Sequence, residues 1–346
     1  MANEKPPQVS VCIPVYNGSD YIAESIESVL AQSFKDFELI VCDNCSTDNT
    51  GEVVRSFKDS RIRYVRNQKN LGLVGNANRC IELAQGEYIC ILHHDDCMMH
   101  DNLERKVRLL NEHRDVGFVH SNIVLVDSKG KVVLSNIWIE DSRHDYIENG
   151  IKVFQRYITC LPSGASIFIG AVLARRECYA RIGGFSPEIP HCDDSEMWMR
   201  MALFYNVACI GTPLVKYRVH PTSTSSGWGE YTSSTRGDDT SIPFLKEHYL
   251  AAQMVFEKHS DRIPQMDRLK QQVSRAFGER AMTWACNAFS DGNFSYGKKC
   301  FREALKMCST IYSEKLFWKA MSMYIAGPTG LYFYRFLKKR LQEVTI

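Results

Sequence analysis

GEYICILHHDD, residues 86–96, is the stretch on which the reading of this chain turns. Gly86 stops a helical pattern, Tyr88 to Leu92 is an apolar run of buried-strand length, and the carboxylates Asp95 and Asp96 follow at once. In open α/β sheets the ligand crevice lies beyond the carboxyl ends of the strands, so such a strand carries its acids to a binding site. Two adjacent acids there offer hard oxygen ligands to a divalent cation. A solvated acidic turn is the competing reading, and the pair alone does not separate the two.

The preceding residues repeat the same unit. Val9 to Val15 is a β-branched strand closed by the turn residues Pro14 to Gly18, and Ser19 or Asp20 is placed to cap a helix through Ile22, Ile26, Val29 and Leu30. Phe37 to Cys42 is a second strand, followed by loop formers and helix caps from Asp43 to Asp48 and a helix through Val53, Val54 and Phe57. Ile62 to Val65 is a third strand, and Asn70-Leu71-Gly72 leads into a helix from about Val74 to Ala84. Alternating strands and helices of this length give βαβ units and a mainly parallel sheet. Their polar ends then gather Tyr16 and Asn17, Asp43 and Asn44, and Asp95 and Asp96 at one crevice.

The 346 residues exceed one domain of ordinary size, so an extension or second domain is expected. A net charge of +2 leaves no basic footprint for nucleic acid. The 13 cysteines, odd in number and scattered through apolar runs, suit reduced, buried thiols in a cytoplasmic protein better than a disulfide framework. Cys42 and Cys45 form a C-x-x-C without a second pair or a thioredoxin-like setting, so they too read as plain thiols. MANEKPPQVS at the start has no apolar core of a signal peptide, and no run reaches the ~18 apolar residues of a spanning helix.

Taken together, PVYNGSDYIAESIESVLAQSF, VCDNCSTDNT and NLGLVGNANRCIELAQGEYICILHHDD resemble, in order, spacing and strand context, the family 2 glycosyltransferases of the GT-A fold. The resemblance covers about the first hundred residues closely and continues in pieces to about Ser226. It implies that Pro14, Val15, Tyr16 and Asn17 line the base and ribose, and that Asp43, Asn44 and Asn78 also bind the nucleotide. It places Asp95 near the ribose or sugar and gives Asp96 the Mg²⁺ or Mn²⁺ that bridges the diphosphate. Relatives usually end the second strand in Asp-Asp, and Asn44 stands here instead. An amide both donates and accepts, which favours uracil and thymine and keeps guanine open. Many relatives also carry Asp two residues before Asp95, where this chain has His93. His93, His94 and Cys97 would make a transition-metal set, which is set aside because soft ligands beside a diphosphate favour the wrong metals.

Further on, Asp101 is placed to cap a helix through Leu103, Val107 and Leu110, Val116 to His120 reads as a strand, and Ile123 to Leu134 reads as a hairpin about Ser128 to Lys131. IFIGAVLARRECYARIGGF, residues 167–185, is similar to the family's glycine-flanked strand running into a helix that ends Gly-Gly-Phe. Gly170 there either admits the donor sugar close to the backbone or serves packing. HCDDSEMWMR, residues 191–200, resembles the family's Glu-Asp signature with Asp193 in place of Glu, which makes Asp194 the catalytic base. From the residues alone the two acids also suit a helix start. Tyr217-Arg218-Val219-His220-Pro221 matches another family piece, with His220 as a metal or pyrophosphate contact and Arg218 as a phosphate-binding fork. The small polar run 222–239 reads as a loop able to close over the donor with Trp228 as a sugar platform, or as plain disorder. From Ile242 the pattern is helical, with a helix hairpin about Ser290 to Asn293. Residues 317–340 set aromatics beside a basic cluster, which suits either a membrane surface or a packed terminal helix with a solvated end.

The chain therefore reads as α/β: a GT-A, Rossmann-like domain with a mixed, mainly parallel sheet, plus a C-terminal α-helical extension. Residues 1–122 are the nucleotide-sugar-binding half, 123–240 the acceptor-side half with base and loop, and 241–346 the helical extension. The expected activity is metal-dependent, inverting transfer, with Mn²⁺ or Mg²⁺, from a nucleotide-sugar donor, UDP-sugar favoured. The expected acceptor is a hydroxyl of a glycan or lipid-linked glycan in surface polysaccharide synthesis. The expected location is the cytoplasm at the inner face of the plasma membrane, with peripheral contact through 317–340. The other class left open is a catalytically inactive nucleotide-sugar-binding scaffold acting through its helical tail. Hydrolysis is a weaker rival, because it wants two carboxylates flanking a glycosidic bond.

Overall fold

The structure, a computed structural model, describes residues 5–137, 144–163, 167–221 and 241–328. The first half is built as β1 (Val9–Val15), α1 (Ile22–Leu30), β2 (Phe37–Asp43), α2 (Thr50–Ser56), β3 (Ile62–Arg66), α3 (Gly72–Leu83) and β4 (Tyr88–Ile91). These strands lie parallel in the order β3-β2-β1-β4, with Val15 opposite Asp43 and Cys12 opposite Ile91, so their carboxyl ends come out together. Every residue of β1 and β4 is buried, as continuous apolar strands covered on both faces must be.

The chain continues through β5 (Cys97–Met98), α4 (Asn102–Glu112), β6 (Val116–Val126), β7 (Val132–Ile137), β8 (Tyr146–Glu148), α5 (Gly150–Cys160), β9 (Val172–Arg175), α6 (Arg176–Ile182), α7 (Asp193–Ala202) and β10 (Asn206–Arg218). β9 runs antiparallel between β4 and β6, and the sheet finishes β6-β10-β5, with β7 paired to β6 and β8 to β10. The sheet is therefore mixed and mainly parallel, as expected. β6 runs unbroken past residues 122 and 123, where the sequence reading divides the two halves of the domain. His120, Ser121 and Asn122 are polar but buried, and pairing with β10 and β9 carries the strand through them. The hairpin to β7 turns where expected, on the Asp127 carboxylate, which accepts from the N–H groups of Lys129 and Lys131, and on Gly130 at φ +76°.

Two expected helix caps are absent. Neither Ser19 nor Asp20 caps α1, and the Ser19 N–H instead donates to Asp48 Oδ2 at 3.0 Å. Asp101 precedes α4 without a side-chain cap; the Leu103 N–H is served by Oε1 of the buried Gln32, 71 residues away in sequence.

Gly86 is fixed by sterics. A Cβ there would lie 2.5 Å from the Ser10 nitrogen and 2.7 Å from the Val9 carbonyl carbon, so only glycine lets the chain enter β4 alongside β1. Ser10 Oγ accepts the N–H groups of Gln85 and Gly86 at the same crossing.

By contact, the described residues up to Tyr157 with 167–221 form one compact unit, and Ile158 to Ser163 with the described residues from Ser241 onward form a second. The second unit is helical: α8 (Ser241–Lys258), α9 (Met266–Asp291), α10 (Phe294–Met307) and a helix over 315–328. The α9–α10 hairpin turns on Gly292, at φ +85°, and on Asn293, whose side chain accepts the Tyr296 N–H. Phe317, in the segment that suits either a membrane surface or a packed terminal helix, is buried against Phe301 with ring centroids 5.6 Å apart. The run 222–239 with Trp228, and the basic residues Arg335, Lys338, Lys339 and Arg340, lie outside the described residues.

Gly86→Ala is expected to destabilise the protein by about 1–3 kcal/mol, because the added methyl meets backbone rather than a movable side chain. Urea unfolding with an unchanged m value and a lowered midpoint is the expected result.

Candidate functional site

The tips of β1 and β2 are stitched together. The Asn44 N–H donates to the Val15 carbonyl at 2.7 Å, the Asn17 N–H to Ser46 Oγ at 2.9 Å, and Asn17 Oδ1 accepts the Thr47 N–H at 2.8 Å. Asn17 reaches these partners at φ +52°, a conformation asparagine tolerates. Pro14 and Val15, expected to line a base, are buried in the sheet, and the exposed groups at this tip are Tyr16 and Asn17.

Asp43 and Asn44 are turned inward. Asp43 is wholly buried; its Oδ1 accepts the Ser46 N–H at 2.8 Å and its Oδ2 accepts Tyr64 Oη at 2.5 Å and Arg66 Nη1 at 3.1 Å. Asn44 uses its whole amide. Its Nδ2 donates to Asn70 Oδ1 at 2.8 Å and to the Gly72 carbonyl at 3.1 Å, while its Oδ1 accepts from Asn67 Nδ2 and the Leu71 N–H. Two donors and two acceptors are thus satisfied within the protein, which corrects the expectation that this amide reads a base. It shapes the 67–72 loop instead. The sequence reading missed Tyr64 and Arg66, although parallel register places Arg66 directly opposite Asp43.

Asp95 and Asp96 follow β4 as expected, held from below by α1 and from the side by β10. Ser25 Oγ lies 2.8 Å from the His94 carbonyl and 2.5 Å from that of Asp96. The Arg218 N–H donates to Asp96 Oδ1 at 3.0 Å. The Arg218 guanidinium donates to the carbonyls of Asp95 and Ser128, meets Glu24 Oε2 at 2.5 Å, and lies over the Tyr21 ring. With that fork bonded on three sides and the residue 3% exposed, Arg218 holds the acidic loop. His220 Nε2 lies 3.0 Å from Asp95 Oδ2, with its ring 4.6 Å from that of Tyr21.

Among the described residues, one group could hold a metal: His93, Asp95 and Asp96, with ligand atoms all within 4.8 Å of one another. His93 enters this group although the sequence reading set it aside, while His220, the expected ligand, and Cys97 are not in it. The electrostatics fit a cation. Burial, and then the Asp95 charge, push the Asp96 carboxyl well above its ordinary range. For Asp95 burial acts upward, but His94, His93 and the His220 hydrogen bond outweigh it and hold the carboxyl low. Two close carboxylates, one of them buried, are what a divalent cation neutralises. Gly170 lies beneath them, where an added Cβ would come within 3.4 Å of Asp96 Oδ2. The fully buried Lys106 fixes that turn by donating to the Ala171 carbonyl at 2.7 Å, and burial pulls its ammonium down to about 8.

Asp194 stands in the first turn of α7, half-buried, with its carboxyl raised by burial to about 6. Burial, and then the neighbouring Asp194 charge, raise the Asp193 carboxyl well above the carboxylate range, so the two acids titrate as a pair. The rest of the motif builds scaffold. Trp198 Nε1 donates to the Ile167 carbonyl at 2.9 Å, and Arg200 reaches the carbonyls of Ile182 and Gly184 while pairing with Glu196. Asn78, expected to touch nucleotide, is bonded on both sides of its amide to the Phe185 backbone, pinning α3 to the Gly-Gly-Phe turn.

A family model described as "Glycosyl transferase family 2" matches residues 10–177. An uncharacterized glycosyltransferase of Rickettsia typhi is 30% identical over 227 residues, covering 65% of this chain and 68% of that protein. UDP-Glc:alpha-D-GlcNAc-diphosphoundecaprenol beta-1,3-glucosyltransferase WfgD of Escherichia coli is 27% identical over 261 residues, 73% of this chain and 95% of that one. Among solved structures, S. aureus TarS 1-349 in complex with UDP-GlcNAc aligns with a TM-score of 0.60 at 18% identity, covering 95% of this chain and 91% of that chain. Mannosyltransferase PcManGT from Pyrobaculum calidifontis in complex with GDP-Man and Mn²⁺ aligns at 0.52 and 19%, covering 94% and 86%. At these identities the two structures speak for the fold.

The Asn44 network makes a prediction. Asn44→Asp removes two donors and sets carboxylate oxygen against Asn70 Oδ1 and the Gly72 carbonyl, so the melting temperature falls, by an amount equivalent to about 1–3 kcal/mol. An unchanged melting temperature would show that the amide is not held as described.

Proposed function

The chain belongs to glycosyltransferase family 2 and carries the GT-A fold, and from that premise we propose a metal-dependent, inverting transfer of a sugar from a nucleoside diphosphate to a glycan hydroxyl. The observation that carries this reading is the pairing of a cation-ready cluster at the β4 tip with a carboxyl raised to about 6 at the head of α7.

In this mechanism Asp194 accepts the proton of the acceptor hydroxyl as its oxygen bonds to the anomeric carbon. The bond from that carbon to the diphosphate breaks on the opposite face, and the configuration inverts. A sugar hydroxyl is a poor nucleophile near neutral pH, so a base matched to working pH is the group the reaction needs. Asp96 and Asp95, with His93, would hold the Mn²⁺ or Mg²⁺ that neutralises the leaving diphosphate. Tyr16 and Asn17 remain the exposed groups for the nucleotide at the β1 tip.

UDP is the favoured donor nucleotide. In support, the E. coli relative is named for UDP-Glc and the TarS structure holds UDP-GlcNAc, while GDP-Man in PcManGT keeps guanine as the rival. The favoured acceptor is a lipid-linked glycan in surface polysaccharide synthesis; in support, the E. coli relative is named for an alpha-D-GlcNAc-diphosphoundecaprenol acceptor. Such an acceptor sits at a membrane, and we propose that the last described helix meets it. No helix among the described residues is long and apolar enough to cross a membrane. Trp318 and Ile325, 62% and 75% exposed and seven residues apart, share one helix face, with Lys315 and Lys319 exposed beside them.

Asp194→Asn is expected to lower kcat by about 10²–10⁴ while leaving UDP binding unchanged in calorimetry. In the unaltered enzyme, Asp194 holds its proton below its raised value, so kcat/KM rises about tenfold per pH unit up to about 6 and levels above it. Full transfer by Asp194→Asn would remove the base assignment. A thermal-shift panel of UDP, dTDP, GDP and CMP with Mn²⁺, Mg²⁺ or chelator is expected to show metal-dependent stabilisation by UDP that Asp96→Ala abolishes. Silence across the panel would favour the non-catalytic scaffold. Trp318→Ala is expected to reduce co-sedimentation with anionic-lipid vesicles severalfold, and undiminished binding would remove the helix from the membrane contact.

A further inference from the structure

We propose that His93 is a direct ligand of the cation, and that its imidazole makes this site select Mn²⁺ over Mg²⁺. The inference rests on the metal-dependent reading above and adds to it which ion the site prefers and which residue decides.

The argument begins with the two oxygens of Asp96. Oδ1 accepts the Arg218 N–H at 3.0 Å, whereas Oδ2 receives no donor among the described residues. Oδ2 lies 3.4 Å from where a Cβ on Gly170 would stand, and 3.9 Å from His93 Nδ1. That separation is too long for a hydrogen bond. It suits two atoms on one ion, since ligands each about 2.0–2.2 Å from a metal stand roughly 3–4 Å apart. The residue is 2% exposed, so this carboxylate oxygen is costly to leave without a partner. The His93 side chain is 34% exposed and its ring is open to an incoming ion, while Asp95 completes the group within 4.8 Å.

Two other imidazoles lie nearby, and neither joins the group: the His94 ring is packed over Gly18. His220 Nε2 sits 3.0 Å from Asp95 Oδ2, which orients that carboxylate in the way outer partners of metal ligands do. His93 is thus the nitrogen facing the ion. Oxygen-only sites suit Mg²⁺, which demands near-ideal octahedral oxygen geometry and keeps its waters. Replacing one oxygen by imidazole nitrogen favours first-row transition ions.

The test uses the full chain and added Mn²⁺ alone, with no substrate. Electron spin-echo spectra of bound Mn²⁺ are expected to show modulation from a directly bound ¹⁴N, and His93→Asp is expected to abolish it. The Mn²⁺-to-Mg²⁺ affinity ratio from competition calorimetry is expected to fall about tenfold in the same variant. His93→Gln, which adds no charge to the loop, is expected to lose the nitrogen signal as well, and circular dichroism checks that both variants are folded. Nitrogen modulation that survives in folded His93 variants, or an unchanged ratio, overturns the inference. Mn²⁺ bound without nitrogen in the unaltered protein, and lost in Asp96→Ala, overturns the inference while the metal-dependent reading stands. No Mn²⁺ binding with or without UDP overturns both.

Discussion

The Arg218 contacts are the constraint on which the rest of the site depends. Its backbone N–H holds one oxygen of Asp96, and its guanidinium, buried beneath the loop, ties the Asp95 carbonyl to Glu24 on α1 and to the β6–β7 turn at Ser128. Two adjacent carboxylates at the tip of a short strand repel each other and would spread into solvent if the backbone were free. A rigid fork with several donors prevents this by fixing the carbonyls rather than neutralising the acids. The backbone of the loop is thus bonded in place while Asp95 and Asp96 keep their carboxylates beside one another.

Fixing the loop in this way uses up groups that would otherwise reach a ligand, and the same trade recurs at β2. The buried Asp43 and Asn44 are locked into a polar network that runs out through Tyr64 and Asn67 to the exposed Arg66 and Asn70. Fully satisfied networks in a low-dielectric setting are stiff, and each member is costly to disturb. The consequence is a β1–β2 tip whose inner polar groups are committed and whose exposed side chains are Tyr16 and Asn17. The head of α7 follows the same logic, with Trp198 and Arg200 bonded to backbone carbonyls so that Asp194 is presented by a supported helix rather than by a loop.

The parallel first half was legible because its strands are buried on both faces and its helices on one, so each announces itself as a continuous apolar run or a helical stripe. β1 to β4, the acids after β4 and the helix starting at Asp193 lie where the residues place them. The α9–α10 hairpin was legible for a different reason, since Gly292 and Asn293 are local turn chemistry. The helix caps were not, because the Leu103 N–H is served by Gln32 from another element, which no local pattern encodes. The exposed Trp318 and the buried Phe317 are adjacent in sequence and equally aromatic, and only the packing of the helix separates them.

The sequence by itself determined the order of strands and helices, the family, and the identity of the acids at the strand and helix ends. These follow from periodicity and from short motifs whose residues are neighbours in the chain. Tertiary structure alone decided which polar groups remain available. Asn44, Asn78 and Arg218 carry chemistry suited to a ligand, yet each is bonded to backbone or side chains far away in sequence. His93 shows the converse, as a residue set aside on its sequence neighbours, whose ring folding brings 3.9 Å from an oxygen of Asp96. A side chain's chemistry is local, but its availability depends on every group that folding brings within bonding distance.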